Sequence, residues 1–222
     1  MDPKTADLIW QDDGSPRSAR FDDPYFSASG GLAEARHVFL QGNDLPGRFQ
    51  PGFHIGELGF GTGLNMLAAW RAWRESGTDG PLHFTSFEAY PLTLADMQRA
   101  HAPWPELASE SAMLLADWPI NRLHLPDLKL EIILGDANRS LPIWQGRVDA
   151  WFLDGFSPGK NPELWSAALM AEVAAHSLGG GSFSTYTAAG HVRRALASAG
   201  FEVERRPGFG RKRHMSRGRL AT

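Results

Sequence analysis

The stretch Glu57-Leu58-Gly59-Phe60-Gly61-Thr62-Gly63 decides the fold, because it joins an apolar run at 53–55 to a helical pattern at 64–70. A strand, a glycine turn and a helix in this order bring a nucleotide-like ligand against bare backbone. The spacing is G-x-G-x-G, and Leu64 stands where a dinucleotide fingerprint has its third glycine. Glu57 would also repel a pyrophosphate, whereas it suits a ligand with an amine and a sulfonium. The stretch therefore argues against NAD and FAD and favours S-adenosylmethionine.

Length and composition narrow the class of protein. A chain of 222 residues is long enough for one α/β domain with a sizeable core. It contains no cysteine, which excludes disulfides and thiolate metal sites and makes the cytoplasm the expected compartment. Neither a signal-peptide pattern nor a membrane-length apolar run is present, so we expect no contact with a membrane.

Charge is distributed unevenly along the chain. The formal net charge is −3, with acidic residues crowding the first 23 positions. Basic residues crowd the end of the chain: Arg205, Arg206, Arg211, Lys212, Arg213, Arg217 and Arg219. Because local potential governs phosphate contact, this segment is either a polyanion-binding surface or a solvated tail.

After a turn-rich region at 1–50, strand and helix patterns alternate. The predicted strands are 53–58, 82–88, 128–134, 148–153, 181–187, 201–205 and 212–219. The predicted helices are 63–75, 93–102, 105–117, 162–177 and 188–199, the fourth capped by Asn161. This alternation predicts a doubly wound, mostly parallel sheet whose ligand crevice lies beyond the strand C-termini. Trp70, Trp73, Trp144, Trp151 and Trp165 are expected to pack in its core.

Three acids follow successive predicted strands and should converge on that crevice. Glu88 lies at the interval where an acid accepts hydrogen bonds from ribose hydroxyls, and Asp136 is placed to accept from an adenine amine. Each could instead cap a helix or form a turn. Asp154 begins the turn Asp154-Gly155-Phe156-Ser157-Pro158, which should set its carboxylate and the Phe156 ring at the pocket mouth. The histidines show no metal-ligand spacing, so no metal is predicted.

Several motifs together resemble one family, the methyltransferases that complete 5-methylaminomethyl-2-thiouridine at the tRNA wobble position. They are 23–27 (DPYFS), 31–34 (GLAE), 37–46 (HVFLQGNDLP), 57–63, 86–93 (SFEAYPLT), 149–162 and 208–213 (GFGRKR). The resemblance spans nearly the whole chain. It implies a Rossmann-like class I S-adenosylmethionine-dependent methyltransferase fold at 51–222, with residues 1–50 as an extension packed on the core.

The resemblance also implies roles for individual residues. Cofactor binding is assigned to Glu57, Gly59, Phe60, Gly61, Gly63, Glu88, Asp136 and Asp154. Binding of the acceptor, a tRNA anticodon stem-loop, is assigned to Phe156, Pro158, Lys160, Arg211, Lys212 and Arg213, with Asp154 as the catalytic residue that orients the amine and takes its proton. Some relatives carry a fused flavin-dependent oxidase; since this sequence stops at Thr222, we expect a stand-alone enzyme or an excised half that binds no flavin.

Other functions remain open from the residues alone. A methyltransferase or aminopropyltransferase for a small free amine would use the same crevice without the basic segment. An RNA-binding module with a vestigial nucleotide fold would not bind S-adenosylmethionine.

Overall fold

The computed structural model describes residues 5–26 and 30–221; Ser27 of the 23–27 motif lies outside them. Its strands are β1 (Leu8–Trp10), β2 (Pro16–Ser18), β3 (Asp23–Pro24), β4 (His54–Leu58), β5 (Leu82–Glu88), β6 (Arg122–Leu125), β7 (Leu128–Leu134), β8 (Val148–Leu153), β9 (Ser177–Thr185), β10 (Phe201–Pro207) and β11 (His214–Leu220). Its α-helices are α1 (Gly31–Ala35), α2 (Leu64–Ser76), α3 (Leu94–His101), α4 (Ala108–Leu115), α5 (Ala137–Ser140), α6 (Ala167–Ala175) and α7 (Gly190–Ser198).

The main sheet has eight strands in the order β10-β11-β9-β8-β4-β5-β7-β6. Its centre, from β9 to β7, is parallel, whereas β6, β10 and β11 pair antiparallel at the two edges. The predicted mostly parallel, doubly wound sheet is confirmed. From β4 the chain proceeds through β5 to β7 on one side, and β8 and β9 lie on the other, so the topological switch point falls between β4 and β8.

Both faces of the sheet are covered at its centre, where β4 and β8 are almost entirely buried. On β8, Ala150 and Phe152 belong to one apolar cluster, and the alternating Trp151 and Leu153 belong to a second one. Helices α1 to α4 supply buried side chains to the first cluster, and α5 to α7 supply the second. This packing explains why the sequence of β8 is almost entirely apolar. The predicted tryptophans pack here, with Trp70, Trp73, Trp151 and Trp165 buried.

The described residues before β4, 5–26 and 30–53, include side chains that pack against this core. Strands β1, β2 and β3 form a separate antiparallel sheet, which is tied to the 88–96 region by a hydrogen bond from Trp10 Nε1 to Asp96 Oδ1 (3.1 Å). Helix α1 continues into a π-helical segment, Arg36–Leu40. Buried side chains of this segment, including Val38 and Phe39, join the first apolar cluster.

The prediction of a single helix over 162–177 was wrong. Pro162–Trp165 forms a 3-10 turn without a side-chain cap from Asn161, and α6 begins only after Ser166. Ser166 is extended, and its side chain accepts a hydrogen bond from the Leu169 N–H. A serine in this conformation is a strong helix start, so the helix begins there and not at Asn161.

Other boundaries also differ from the sequence pattern. Strand β9 begins at Ser177, four residues earlier than predicted, because it passes through the glycine run 179–181 with a shift in register against β8. The predicted helix 105–117 divides into a 3-10 turn, Pro105–Leu107, and α4. The short polar strand β6 was not predicted. Among the described residues, no helix combines the length and apolar character needed to cross a membrane.

Candidate functional site

The glycine turn lies against the end of β8. Gly59 has a φ of 90°, and a Cβ added there would lie 2.5 Å from the backbone oxygen of Asp154. The Asp154 N–H in turn donates to the Leu58 carbonyl (3.0 Å). A side chain at Gly59 would combine left-handed strain with steric overlap, so glycine is required for β4 and β8 to end this close together.

A cavity of about 850 Å³ opens at these strand ends, within the size range of small-molecule sites. The predicted site residues that line it are Gly59, Phe60, Gly61, Glu88, Asp136, Asp154, Phe156, Lys160 and Lys212. The other predicted site residues, all within the described ranges, do not line it: Glu57, Gly63, Pro158, Arg211 and Arg213.

Glu88 ends β5 with its carboxylate held by backbone donors. Its Oε2 accepts from the Gly61 N–H (2.8 Å) and its Oε1 from the Tyr90 N–H (2.7 Å). Burial raises the pKa of Glu88, and these N–H donors oppose that rise. Each oxygen retains a second lone pair, so Glu88 can accept hydrogen bonds from hydroxyl groups of a ligand while fixing the glycine turn.

Asp136 stands at an exposed position on the cavity wall. It caps α5, where its Oδ1 accepts from the Asn138 N–H (2.9 Å) and from Asn138 Nδ2 (3.0 Å). Asp136 therefore caps a helix, which is one of the two alternatives that the sequence left open. Its Oδ2 makes neither of these hydrogen bonds and can face a ligand.

Glu57 lies behind the cavity wall. It is fully buried; its Oε1 accepts from Asn65 Nδ2 (3.2 Å) and its Oε2 from Ser86 Oγ (2.7 Å). Burial raises the pKa of Glu57 well above its usual range, and the nearby charge of Asp154 adds to the rise. The side chain shares the face of β4 that α2 covers, so any influence on a ligand passes through Asn65 or through its charge.

Asp154 is the carboxylate at the switch point. Its Oδ2 accepts from Asn65 Nδ2 (2.7 Å), so the two hydrogens of one amide serve Asp154 and Glu57. Burial raises the pKa of Asp154 to about 7, against the hydrogen bond from Asn65 and the charge of Lys212, which lower it. Asp154 is therefore poised to exchange a proton near neutral pH.

Aromatic rings form the mouth of the cavity. Phe156 stacks on Phe21 with ring centroids 4.8 Å apart and meets Tyr25 edge to face at 5.1 Å. Tyr90 lies 6.0 Å from Phe21, and the Arg20 guanidinium lies 4.8 Å above the Tyr90 ring. Residues from the N-terminal region thus supply much of this mouth.

Lys160 and Pro158 occupy the turn after β8. The Lys160 ammonium contacts the backbone oxygen of Asp22 and lies 3.6 Å from Asp23 Oδ1. Asp23 also accepts from the Ser157 N–H (2.8 Å). These contacts fasten the N-terminal sheet to the turn, and the placement of Pro158 is that of a turn residue.

The basic triplet between β10 and β11 is divided. Arg211 and Arg213 are exposed outside the cavity lining, whereas Lys212 reaches the cavity. Its Nζ lies 2.7 Å from Glu34 Oε1 and 4.2 Å from the centroid of the Tyr186 ring. The sequence grouped three residues that the structure separates into two environments.

Sequence reasoning missed Asn65, Glu34, Tyr186, Phe21 and Tyr25, all of which line the cavity. Asn65 had a signal, since it is a polar residue in the first turn after the glycines. The others come from segments whose approach depends on tertiary packing. Within residues 5–26 and 30–221, no group of three or more His, Asp or Glu side chains is arranged to hold a metal ion.

The chain is similar to known proteins in both sequence and fold. The family described as S-adenosyl-L-methionine-dependent methyltransferase matches residues 105–221. The tRNA 5-methylaminomethyl-2-thiouridine biosynthesis bifunctional protein MnmC of Chromobacterium violaceum is 49% identical over 230 residues, covering 98% of this chain and 35% of that protein. Its counterpart from Caulobacter is 47% identical over 227 residues, covering 96% of this chain and 38% of that protein. The chain therefore spans little more than a third of these relatives.

Two solved structures illustrate the similarity in fold. MNMC2 from Aquifex aeolicus has a TM-score of 0.77 and 25% identity, with 100% of this chain and 72% of that chain covered. Spermidine synthase from Thermotoga maritima has a TM-score of 0.60 and 11% identity, covering 99% of this chain and 70% of that one, and shows a shared fold alone.

Proposed function

Because this chain belongs to the S-adenosyl-L-methionine-dependent methyltransferase family, we propose that it methylates the 5-aminomethyl group of 5-aminomethyl-2-thiouridine at the tRNA wobble position. The product is 5-methylaminomethyl-2-thiouridine. Support comes from relatives named for the biosynthesis of this nucleoside, which match nearly the whole of this chain. The seven motifs that resemble this methyltransferase family give the same assignment.

The cavity suits S-adenosylmethionine in size and in chemistry. Its wall is rich in carboxylates, and three of them, Glu88, Asp136 and Asp154, stand at or just after the ends of the central strands. Carboxylates suit hydroxyl, amine and sulfonium groups and would repel a phosphate. Bare backbone at Gly59 and Gly61 allows close approach of a ligand. In the proposal Glu88 holds the ribose hydroxyls and Asp136 the adenine amine. When bound, the cofactor would supply an electrophilic methyl carbon, and the electron pair of its carbon–sulfur bond would remain on sulfur as the amine nitrogen takes the methyl group.

The observation that carries the proposed reaction is the position of Asp154 on the cavity wall together with its raised pKa. A free alkylamine has a pKa of about 10, so removal of its proton at pH 7 costs about 4 kcal/mol. A carboxylate with a pKa of about 7 accepts that proton far more readily than an ordinary aspartate. In the proposal Asp154 orients the amine, takes its proton and leaves the nitrogen lone pair free to attack. Holding the two reactants together supplies much of the acceleration.

Nucleoside mass spectrometry tests this function. tRNA that carries the aminomethyl group is incubated with the protein and S-adenosylmethionine, and we expect one added methyl on the wobble nucleoside. Asp154→Asn should lower turnover at least ~100-fold, in line with the loss of acid-base catalysis, with cofactor affinity within a few-fold of wild type. Unmodified nucleoside in the wild-type reaction would refute the proposal.

Arg211 and Arg213 are proposed to contact anticodon-stem phosphates. Replacing both with alanine should weaken tRNA binding and lower the slope of log affinity against log salt by about 1 for each lost contact. Arg122, an exposed arginine on β6 at the opposite edge of the sheet, is the control, and Arg122→Ala should leave the slope unchanged. If the double variant behaves like this control, the solvated-tail interpretation is correct.

The alternative acceptor is a small free amine. Excess polyamine added to the tRNA reaction separates the two functions, because a polyamine acceptor would take the methyl group and suppress tRNA methylation. In the proposal, as the family resemblance implies, the reaction follows an oxidase that generates the aminomethyl group; the relatives' names say only that those proteins are bifunctional. A cytoplasmic location and the division at residue 50 belong to the same proposal.

A further inference from the structure

A cation already occupies one corner of the cavity. The Lys212 ammonium lies 2.7 Å from Glu34 Oε1 and 4.2 Å above the Tyr186 ring. Glu34, Tyr186 and Lys212 line the same cavity as Asp154. The Tyr186 hydroxyl donates to the Gly155 carbonyl (2.8 Å), so the ring is fixed to the residue that follows Asp154.

The chemistry of this corner is selective for ammonium groups. A carboxylate that accepts a charged hydrogen bond and an aromatic face that attracts a cation together recognise a primary ammonium, whatever molecule carries it. The acceptor of the proposed function arrives as a primary ammonium on a methylene group. Lys212 ends in the same group.

We propose that Glu34 and Tyr186 form the binding site for the acceptor ammonium, and that Lys212 fills it until the acceptor nucleic acid docks. This inference rests on the proposed function and specifies how the acceptor enters. The acceptor ammonium replaces the Lys212 ammonium at this site. The acceptor ammonium then lies beside Asp154 and gives Asp154 a proton.

The two partners of the ion pair differ in exposure, and this difference permits the exchange. The Glu34 side chain is 11% exposed and the Lys212 side chain is 46% exposed. A carboxylate as buried as Glu34 is costly to leave without a cation, whereas Lys212 returns to water easily. Glu34 therefore keeps a cationic partner throughout, and replacement of one ammonium by another has a small net cost.

The position of Lys212 links this exchange to docking. Lys212 stands between the exposed Arg211 and Arg213 in the turn joining β10 and β11, where its N–H donates to the Phe209 carbonyl (3.0 Å). Phosphates that bind the flanking arginines would draw this turn outward and withdraw the lysine. A small amine in solution has no phosphates to bind these arginines, so it cannot withdraw Lys212 in this way. It must compete with the Lys212 ammonium, which is tethered and has an effective concentration of the order of millimolar. The arrangement therefore favours amines presented on a polyanion.

Calorimetric binding of 5-aminomethyluridine, as the free nucleoside, tests the inference without turnover. The titration is done at pH 8 with S-adenosylhomocysteine present, and uridine serves as the ligand without an ammonium. Lys212→Met keeps the length of the side chain and removes its charge. We expect it to bind 5-aminomethyluridine at least ten-fold more tightly than wild type does, with no change for uridine. Lys129→Met is the matched control, because Lys129 is an exposed lysine on β7 that does not line the cavity.

Adding Glu34→Gln to Lys212→Met should abolish the gain, and Lys212→Gln should reproduce it if the Met variant unfolds. Unchanged or weaker binding by folded Lys212→Met or Lys212→Gln would overturn the inference, as would an equal gain in Lys129→Met. The mass-spectrometric assay is independent of this titration. A Glu34-dependent gain without tRNA methylation would refute the proposed acceptor and retain the ammonium site.

Discussion

Replacing Asn65 with leucine tests how the site sets the proton affinity of Asp154. The Asn65 amide donates to Asp154 Oδ2 (2.7 Å) and to Glu57 Oε1 (3.2 Å). Leucine has a similar volume and no donor. A hydrogen bond to a charged group contributes about 1.5–3 kcal/mol, and one pKa unit corresponds to about 1.4 kcal/mol. The substitution should therefore raise the pKa of Asp154 by about 1–2 units above its value of about 7.

The assay is kcat/KM for tRNA methylation between pH 6 and pH 10 with the same substrate and saturating cofactor. At pH 7 about half of the wild-type Asp154 is ionised, and after a shift of 1–2 units about a tenth to a hundredth remains ionised. Activity at pH 7 should fall about 5- to 50-fold and recover at pH 9. Asn138→Leu is the control, because Asn138 also lines the cavity but donates to Asp136. An equal loss at every pH, or an unmoved acid limb, would refute the reasoning.

Two further perturbations follow from the geometry. Gly59→Ala should weaken S-adenosylmethionine binding at least ~10-fold by calorimetry, because its Cβ would overlap the Asp154 carbonyl. Gly77→Ala has comparable left-handed strain at the end of α2 but open space around the Cβ, so it should cost stability of about 1 kcal/mol and leave binding intact; equal binding by both variants contradicts this account. Burial lowers the pKa of His54 from 6.5 to about 4, so the unfolded chain takes up the proton first and stability falls as pH drops below 6.5. Between pH 7 and pH 5 the free energy of unfolding, measured with urea, should fall by about 2 kcal/mol less in His54→Gln than in wild type. An identical fall in both proteins would exclude this role for His54.

Periodicity predicted the parts of the fold that depend on local pattern. The bounds of β5, β7 and β8 were predicted to the residue, because each is a stretch rich in apolar residues that ends at an acid or a glycine. Since Glu88 and Asp154 follow two of these strands, their convergence also followed from the topology. The helix at 162–177 was wrong because the extended conformation of Ser166 depends on its neighbours in space.

The composition of the cavity wall was less predictable. Glu57 stands in the motif that identifies the cofactor, yet strand alternation turns its side chain under α2 and toward Asn65. Glu34 and Lys212 are 178 residues apart in sequence, and neither local pattern nor charge count indicates that they meet. Such pairs arise only when both ends of the chain pack on the finished sheet.

The aromatic mouth and the Lys212 contact have a consequence for the order of folding. Much of the mouth comes from residues 20–25, the floor from the strand ends at 58, 88 and 153, and one corner from the turn after β10. Contacts of such high sequence separation are expected to form late, because closing a long loop costs conformational entropy before the contact repays it. A partly folded chain can thus contain the central sheet without a closed site. Cofactor affinity should therefore report whether both ends of the chain have packed on the sheet, and not only whether the central sheet has formed.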